Sequence, residues 1–127
     1  LINEKKLVAI SLILIVFLGC DSGLKKKIIT SEDGLNSLTI ISKDAEYYIF
    51  KGKLDLDKIP ANGYVKNKGV VEHFNALVKW SNGQVDLYHT YGVFDESKKP
   101  KDIILNRVSV KEFERLKKLP EYEYFYY

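Results

Sequence analysis

The chain has 127 residues, with 20 Lys plus Arg against 17 Asp plus Glu, a length that fits one small domain and excludes two. Its 46% apolar and 13% aromatic content can build a core, which excludes collagen-like and disordered classes. The net charge of +3 is spread among interleaved acids, so no nucleic-acid partner is expected. A single cysteine forms no internal disulfide and no structural zinc site, and neither a metal nor a cofactor is expected.

The first segment carries Lys5 and Lys6, then the run Leu7 to Leu18, apolar but for Ser11, then Gly19 and Cys20. Two positive charges ahead of twelve mostly apolar residues have the layout of an export signal. Twelve residues are too few to cross a bilayer, which takes about 20. The chain begins with Leu1 rather than Met, which fits either a non-standard start codon or a few preceding residues.

The only thiol sits directly behind this run and behind a glycine. Phe17-Leu18-Gly19-Cys20 resembles the lipobox of bacterial lipoproteins. The resemblance covers residues 1 to 20 and implies cleavage between Gly19 and Cys20, with diacylglyceryl transfer to the Cys20 thiol. It implies a lipid-anchored protein of the bacterial cell envelope, on the periplasmic side of a membrane, with the membrane itself as one partner. Asp21 either resembles the inner-membrane retention signal of enteric-type lipoproteins or is a solvated tether residue. The layout expected is a signal-peptide helix over 1–19, a tether over 20–34 and a single β-rich domain over 35–127.

Beyond Gly19 the chain carries 18 basic and 16 acidic side chains, so the domain is close to neutral. Lys25, Lys26 and Lys27 belong to the expected tether, as a soluble spacer or beside anionic headgroups. Ser37 to Ser42 and Glu46 to Gly52 carry the β-branched and aromatic residues of strands. Alternation of Leu54 and Leu56 extends the second strand toward Pro60. Tyr64 to Val71 is ambiguous, with Gly69 a turn or a bulge.

Ser81-Asn-Gly-Gln84 reads as a hairpin with a type I′ turn at Asn82-Gly83. Facing residues then sum to 165, which places Trp80, Val78, Ala76, Phe74, Val85, Leu87, His89 and Tyr91 on one apolar face. Lys79, Leu77, Asn75, Asp86, Tyr88 and Thr90 fall on a mixed or solvent-facing side. Asp102 to Val108 reads as another strand. Ser109-Val-Lys-Glu112 fits a capping box, and Val110, Phe113, Leu116 and Leu119 form a helical stripe that Pro120 ends. The expected fold is α+β: a small antiparallel sheet with one short C-terminal helix packed on its apolar face.

Few residues offer chemistry. His73 and His89 are the only imidazoles and lack metal-ligand spacing, so core-edge roles are favoured over ligation or general-base work. Asp55 and Asp57 share a face of the expected strand, as paired catalytic carboxylates do, although a solvated face explains them more simply. Asp95, Glu96 and Asp102 suggest a cation site but contain no EF-hand loop and read as loop charges. No nucleophile elbow or phosphate loop occurs, and the chain is read as a non-enzyme.

Five of the last six residues, Tyr122, Tyr124, Phe125, Tyr126 and Tyr127, are aromatic. They form either a partner-binding edge or a strand that closes the core, the latter being favoured. The leading functional expectation is a small binding domain with a protein partner, of inhibitor or immunity type. A periplasmic hydrolase using His89 or His73, and an assembly accessory of the envelope, are the alternatives.

Overall fold

The computed structural model describes residues 24–68 and 73–127. The segment expected to be a signal peptide, the Gly19–Cys20 junction, Asp21 and Gly69 lie outside the described residues. In chain order the elements are β1 (Lys25–Thr30), β2 (Ser37–Lys43), β3 (Glu46–Lys51), β4 (Tyr64–Asn67), β5 (Asn75–Ser81), β6 (Gln84–His89), β7 (Phe94–Asp95), β8 (Ile103–Arg107), α1 (Val110–Lys117) and β9 (Glu123–Tyr126). The α+β class agrees with the sequence. The number of sheets does not, because the strands form two: β1-β2-β3-β4-β7 and β8-β6-β5-β9. Every pairing is antiparallel except β6 with β8, whose connection passes through the other sheet at β7.

The expected tether reaches too far into the domain. Lys25–Thr30 pairs with β2 from Lys25↔Ser42 to Thr30↔Ser37, so three consecutive lysines begin an edge strand. Charged edges discourage further strand pairing, which makes lysine an ordinary residue there. At the next strand the alternation of Leu54 and Leu56 does not extend β3, which ends at Lys51. Thr39, fully buried on β2, donates its Oγ1 hydroxyl to the Gly52 carbonyl at 2.7 Å and accepts from Leu54 N–H at 2.9 Å. That clasp turns the chain away, and Leu54 and Leu56 stay half-buried between exposed Lys53, Asp55 and Asp57.

The β5–β6 register is Leu77↔Tyr88, Val78↔Leu87, Lys79↔Asp86 and Trp80↔Val85, the pairing that the Asn82-Gly83 turn dictates. Strand β6 ends at His89, however, and Tyr91, expected on the apolar face, is exposed. Only Gly83 of that pair takes positive φ, so the turn lacks the two positive φ angles of type I′. Asp44 and Ala45, between β2 and β3, take φ of 52° and 62° and form the turn with both. The core lies between the sheets: Leu38, Ile40, Ile49 and Val65 meet Ala76, Val78, Val85, Leu87, Ile103 and Phe125. Phe74 joins the two sides, with ring centroids 5.5 Å from Tyr47, 6.0 Å from Phe94 and 5.4 Å from Phe125.

With the second sheet occupying the apolar face of β5–β6, α1 packs on the opposite face. Phe113 and Leu116 cover Leu77, with Tyr88, Val108, Leu119 and Tyr122 around them. The face expected to be mixed or solvent-facing is therefore a second, smaller core. Ser109 caps α1 by accepting from Glu112 N–H at 3.1 Å. The other half of the capping box does not form, because the Glu112 carboxylate instead takes a two-point contact from Arg115, 2.9 Å at its Nε. Val110, expected in the stripe, is exposed.

Candidate functional site

The aromatic tail is split by strand alternation. Strand β9 pairs with β5 as Asn75↔Tyr126, Ala76↔Phe125, Leu77↔Tyr124 and Val78↔Glu123. Phe125 is buried, and Tyr127 packs on the same core with its ring 5.5 Å from Tyr47, edge to face. Tyr124 and Tyr126 point the other way and remain 42% and 48% exposed. Tyr122 is half-buried, edge-on to Tyr88 at 5.2 Å. Burial, followed by the hydrogen bond that the Tyr88 hydroxyl shares with Tyr122 as donor, pushes the Tyr88 pKa up to about 12. Closing the core and presenting a surface are thus properties of alternate residues on one strand.

The groups considered for catalysis do not form one cluster. His73 stacks on Tyr126 at 4.9 Å, whereas His89 is buried with its ring 4.4 Å from Phe94. Burial lowers the His89 pKa; the Tyr91 backbone opposes this, Arg107 adds to it and Glu96 opposes it. Asp55 lies in a loop, 2.9 Å from Lys26 Nζ, so the expected pair with Asp57 on a strand does not exist. Asp102 is 2.8 Å from Lys51, and Asp95 is 3.4 Å from Lys68. The side-chain and backbone groups of Ser97, ahead of Lys68, hold the Asp95 carboxyl down at about 2. Among the described residues, no group of three or more His, Cys, Asp or Glu side chains is placed to hold a metal ion.

One open groove of about 420 Å³ brings together distant parts of the chain. Its walls are Trp80 at the end of β5, Ser31 to Asp33 after β1, Pro120 and Glu121 after α1, and Glu123 on β9. A tight turn builds the first wall. Ser31 N–H donates to Asn36 O at 2.8 Å, Gly34 N–H donates to Ser31 O at 2.9 Å, and the Ser31 hydroxyl donates to Asp33 Oδ1 at 2.5 Å. That hydroxyl, then the Leu35 N–H, keeps the Asp33 carboxyl below its ordinary value. Glu32, Asp33, Glu121 and Glu123 thus line the same groove as Trp80, whose buried Nε1 has no hydrogen-bond partner among the described residues.

Trp80 packs partly buried against the core, as its place on the apolar face predicts, and also lines the groove; what the sequence does not show is that Ser31–Asp33 follows a strand and stands beside it. The one available signal was a lone tryptophan at a hairpin end in a chain whose tail alternates Glu and Tyr. The chain matches no known protein family, no curated protein and no solved structure. Its site must be read from its own chemistry.

Proposed function

We propose that this chain is a lipid-anchored cell-envelope protein, held by a diacylglyceryl group on Cys20, whose domain is a non-catalytic binding module. The groove over Trp80 takes a cationic segment of a protein partner. The observation that carries this reading is the groove itself, in which Trp80 shares the lining with Glu32, Asp33, Glu121 and Glu123. Lysine and arginine side chains are attracted to an indole face and to carboxylates, by about 0.5 to 2 kcal/mol for the cation–π part alone. Dispersal of the two histidines and of the candidate acids onto separate partners gives a hydrolase no comparable support.

Trp80 is the only tryptophan, so its emission reports on this groove alone. Titrating the protein with an oligo-arginine peptide at low ionic strength should shift Trp80 emission saturably, and added salt should reverse the shift. Glu121→Gln and Glu123→Gln should each weaken binding a few-fold. Emission unchanged by saturating peptide would overturn the groove as a cationic-segment site.

A further inference from the structure

From the contacts along one seam of the sandwich, we infer that the folded domain lies against an anionic phospholipid surface through a defined face: Lys25 and Lys27 on β1, Tyr124 and Tyr126 on β9, His73, and Lys117 on α1. This rests on the Cys20 anchor proposed above and goes beyond it, because the anchor alone leaves the orientation of the domain free.

Direct contacts join every member of the face except Lys25, which stands two residues before Lys27 on β1. Phe74 and Tyr127 exchange both backbone hydrogen bonds, at 3.2 and 2.8 Å. By antiparallel alternation, Tyr126 and Tyr124 then turn their own N–H and C=O groups to the free edge of β9. Lys27 Nζ donates to that outward Tyr126 carbonyl at 2.8 Å and so ties the edge of one sheet to the edge of the other. His73 stacks on the Tyr126 ring, and Lys117 Nζ stands 4.0 Å from the centroid of the Tyr124 ring. Exposed lysines beside exposed tyrosines are the pairing that suits a headgroup layer, where the ring bodies meet the acyl boundary and the ammoniums meet phosphates. None of the ion pairs among the described residues engages Lys25, Lys27 or Lys117.

Two further observations select a membrane as the occupant. Five residue steps separate Cys20 from Lys25, a reach of at most about 18 Å, whereas a domain of this size is roughly 30 Å across. A body held that closely cannot keep the start of β1 far from the surface. The β1 lysines, of which Lys26 is paired with Asp55, and the acidic groove also lie toward opposite ends of the seam, since β1 runs from Lys25 to Thr30 just before Ser31, and β5 runs from Asn75 toward Trp80. An anionic surface attracts one end and repels the other, leaving the groove facing away from the lipid and open to a partner.

The test uses the full lipidated chain on vesicles of phosphatidylcholine with or without phosphatidylglycerol. Acylation occupies the only native thiol, so an introduced cysteine is the sole site for a spin label. One label goes at Asn75→Cys, beside Tyr124 and Tyr126; the other goes at Asn82→Cys, on the hairpin tip at the far end of β5. The expected result is an Asn75 label several-fold less accessible to an aqueous relaxation agent than the Asn82 label, on phosphatidylglycerol vesicles only. The Lys25→Gln/Lys27→Gln/Lys117→Gln variant should abolish the difference, since each lysine contributes about fivefold to partitioning. Equal accessibility of both labels on a chain whose Cys20 is acylated by mass would overturn the face while leaving the anchor standing. An unmodified Cys20 thiol would overturn the anchor and the face with it.

Discussion

Adjacent residues on β9 should respond to alanine in opposite ways. Phe125 is 6% exposed, faces Ala76 across the ladder and packs 5.4 Å from Phe74, so Phe125→Ala opens a cavity where the sheets meet. Buried Phe→Ala changes cost about 3 to 5 kcal/mol, a large part of the roughly 5 to 15 kcal/mol that holds a domain folded. Tyr126 turns outward and loses mainly its stacking on His73, so Tyr126→Ala should cost about 1 kcal/mol or less. With a urea slope of about 2 kcal/mol per molar, the midpoint should fall by about 2 M for Phe125→Ala and by under about 0.5 M for Tyr126→Ala. Urea titration followed by Trp80 emission measures both. Equal midpoint shifts would refute the division of the tail into core-closing and surface residues.

His89 is the group through which mild acid should act. Its folded pKa lies below 6.5, so its contribution is complete above that value. The contribution is lost as pH falls from about 6.5 through the lower folded pKa, because the unfolded chain takes up the proton first. Thermal scans between about pH 7 and pH 5 should therefore show falling stability, and His89→Leu should flatten that slope; an unchanged slope assigns the sensitivity elsewhere. At Gly92, φ is 96° and an added Cβ would stand 3.0 Å from Asn67 Oδ1, so Gly92→Ala should destabilise by about 1 to 3 kcal/mol in a denaturant titration. Ser109→Ala should cost about 1 kcal/mol through the lost cap of α1, while Glu112→Gln should cost less, because its carboxylate meets Arg115 rather than closing the capping box. Comparable losses in the two variants would contradict the half-formed box.

Local signals carried the hairpin and the helix. Asn82-Gly83 with its flanking alternation determined the β5–β6 register, because a one-residue slip would have sent Val78 and Leu87 to the wrong face. Ser109 and Pro120 bracketed the helix for similarly local reasons. What could not be read was whatever depends on distant partners. Lys25–Thr30 looks like a tether in composition and becomes a strand only because β2 offers a complementary edge. Leu54 and Leu56 alternate as a strand would, yet Thr39, fifteen residues from Leu54, draws the chain away. The side to which α1 docks depends on a second sheet that already fills the apolar face of β5–β6. The groove at Trp80 joins residues from positions 31 to 123, and no window of sequence contains it.

The anchor proposed on Cys20 carries both the proposed envelope location and the proposed orientation of the domain, and the mass of the membrane-extracted mature chain tests it most directly. The expected species lacks residues 1–19 and begins at a cysteine bearing a diacylglyceryl thioether. A chain that retains Gly19 joined to Cys20, with a free thiol, would contradict it.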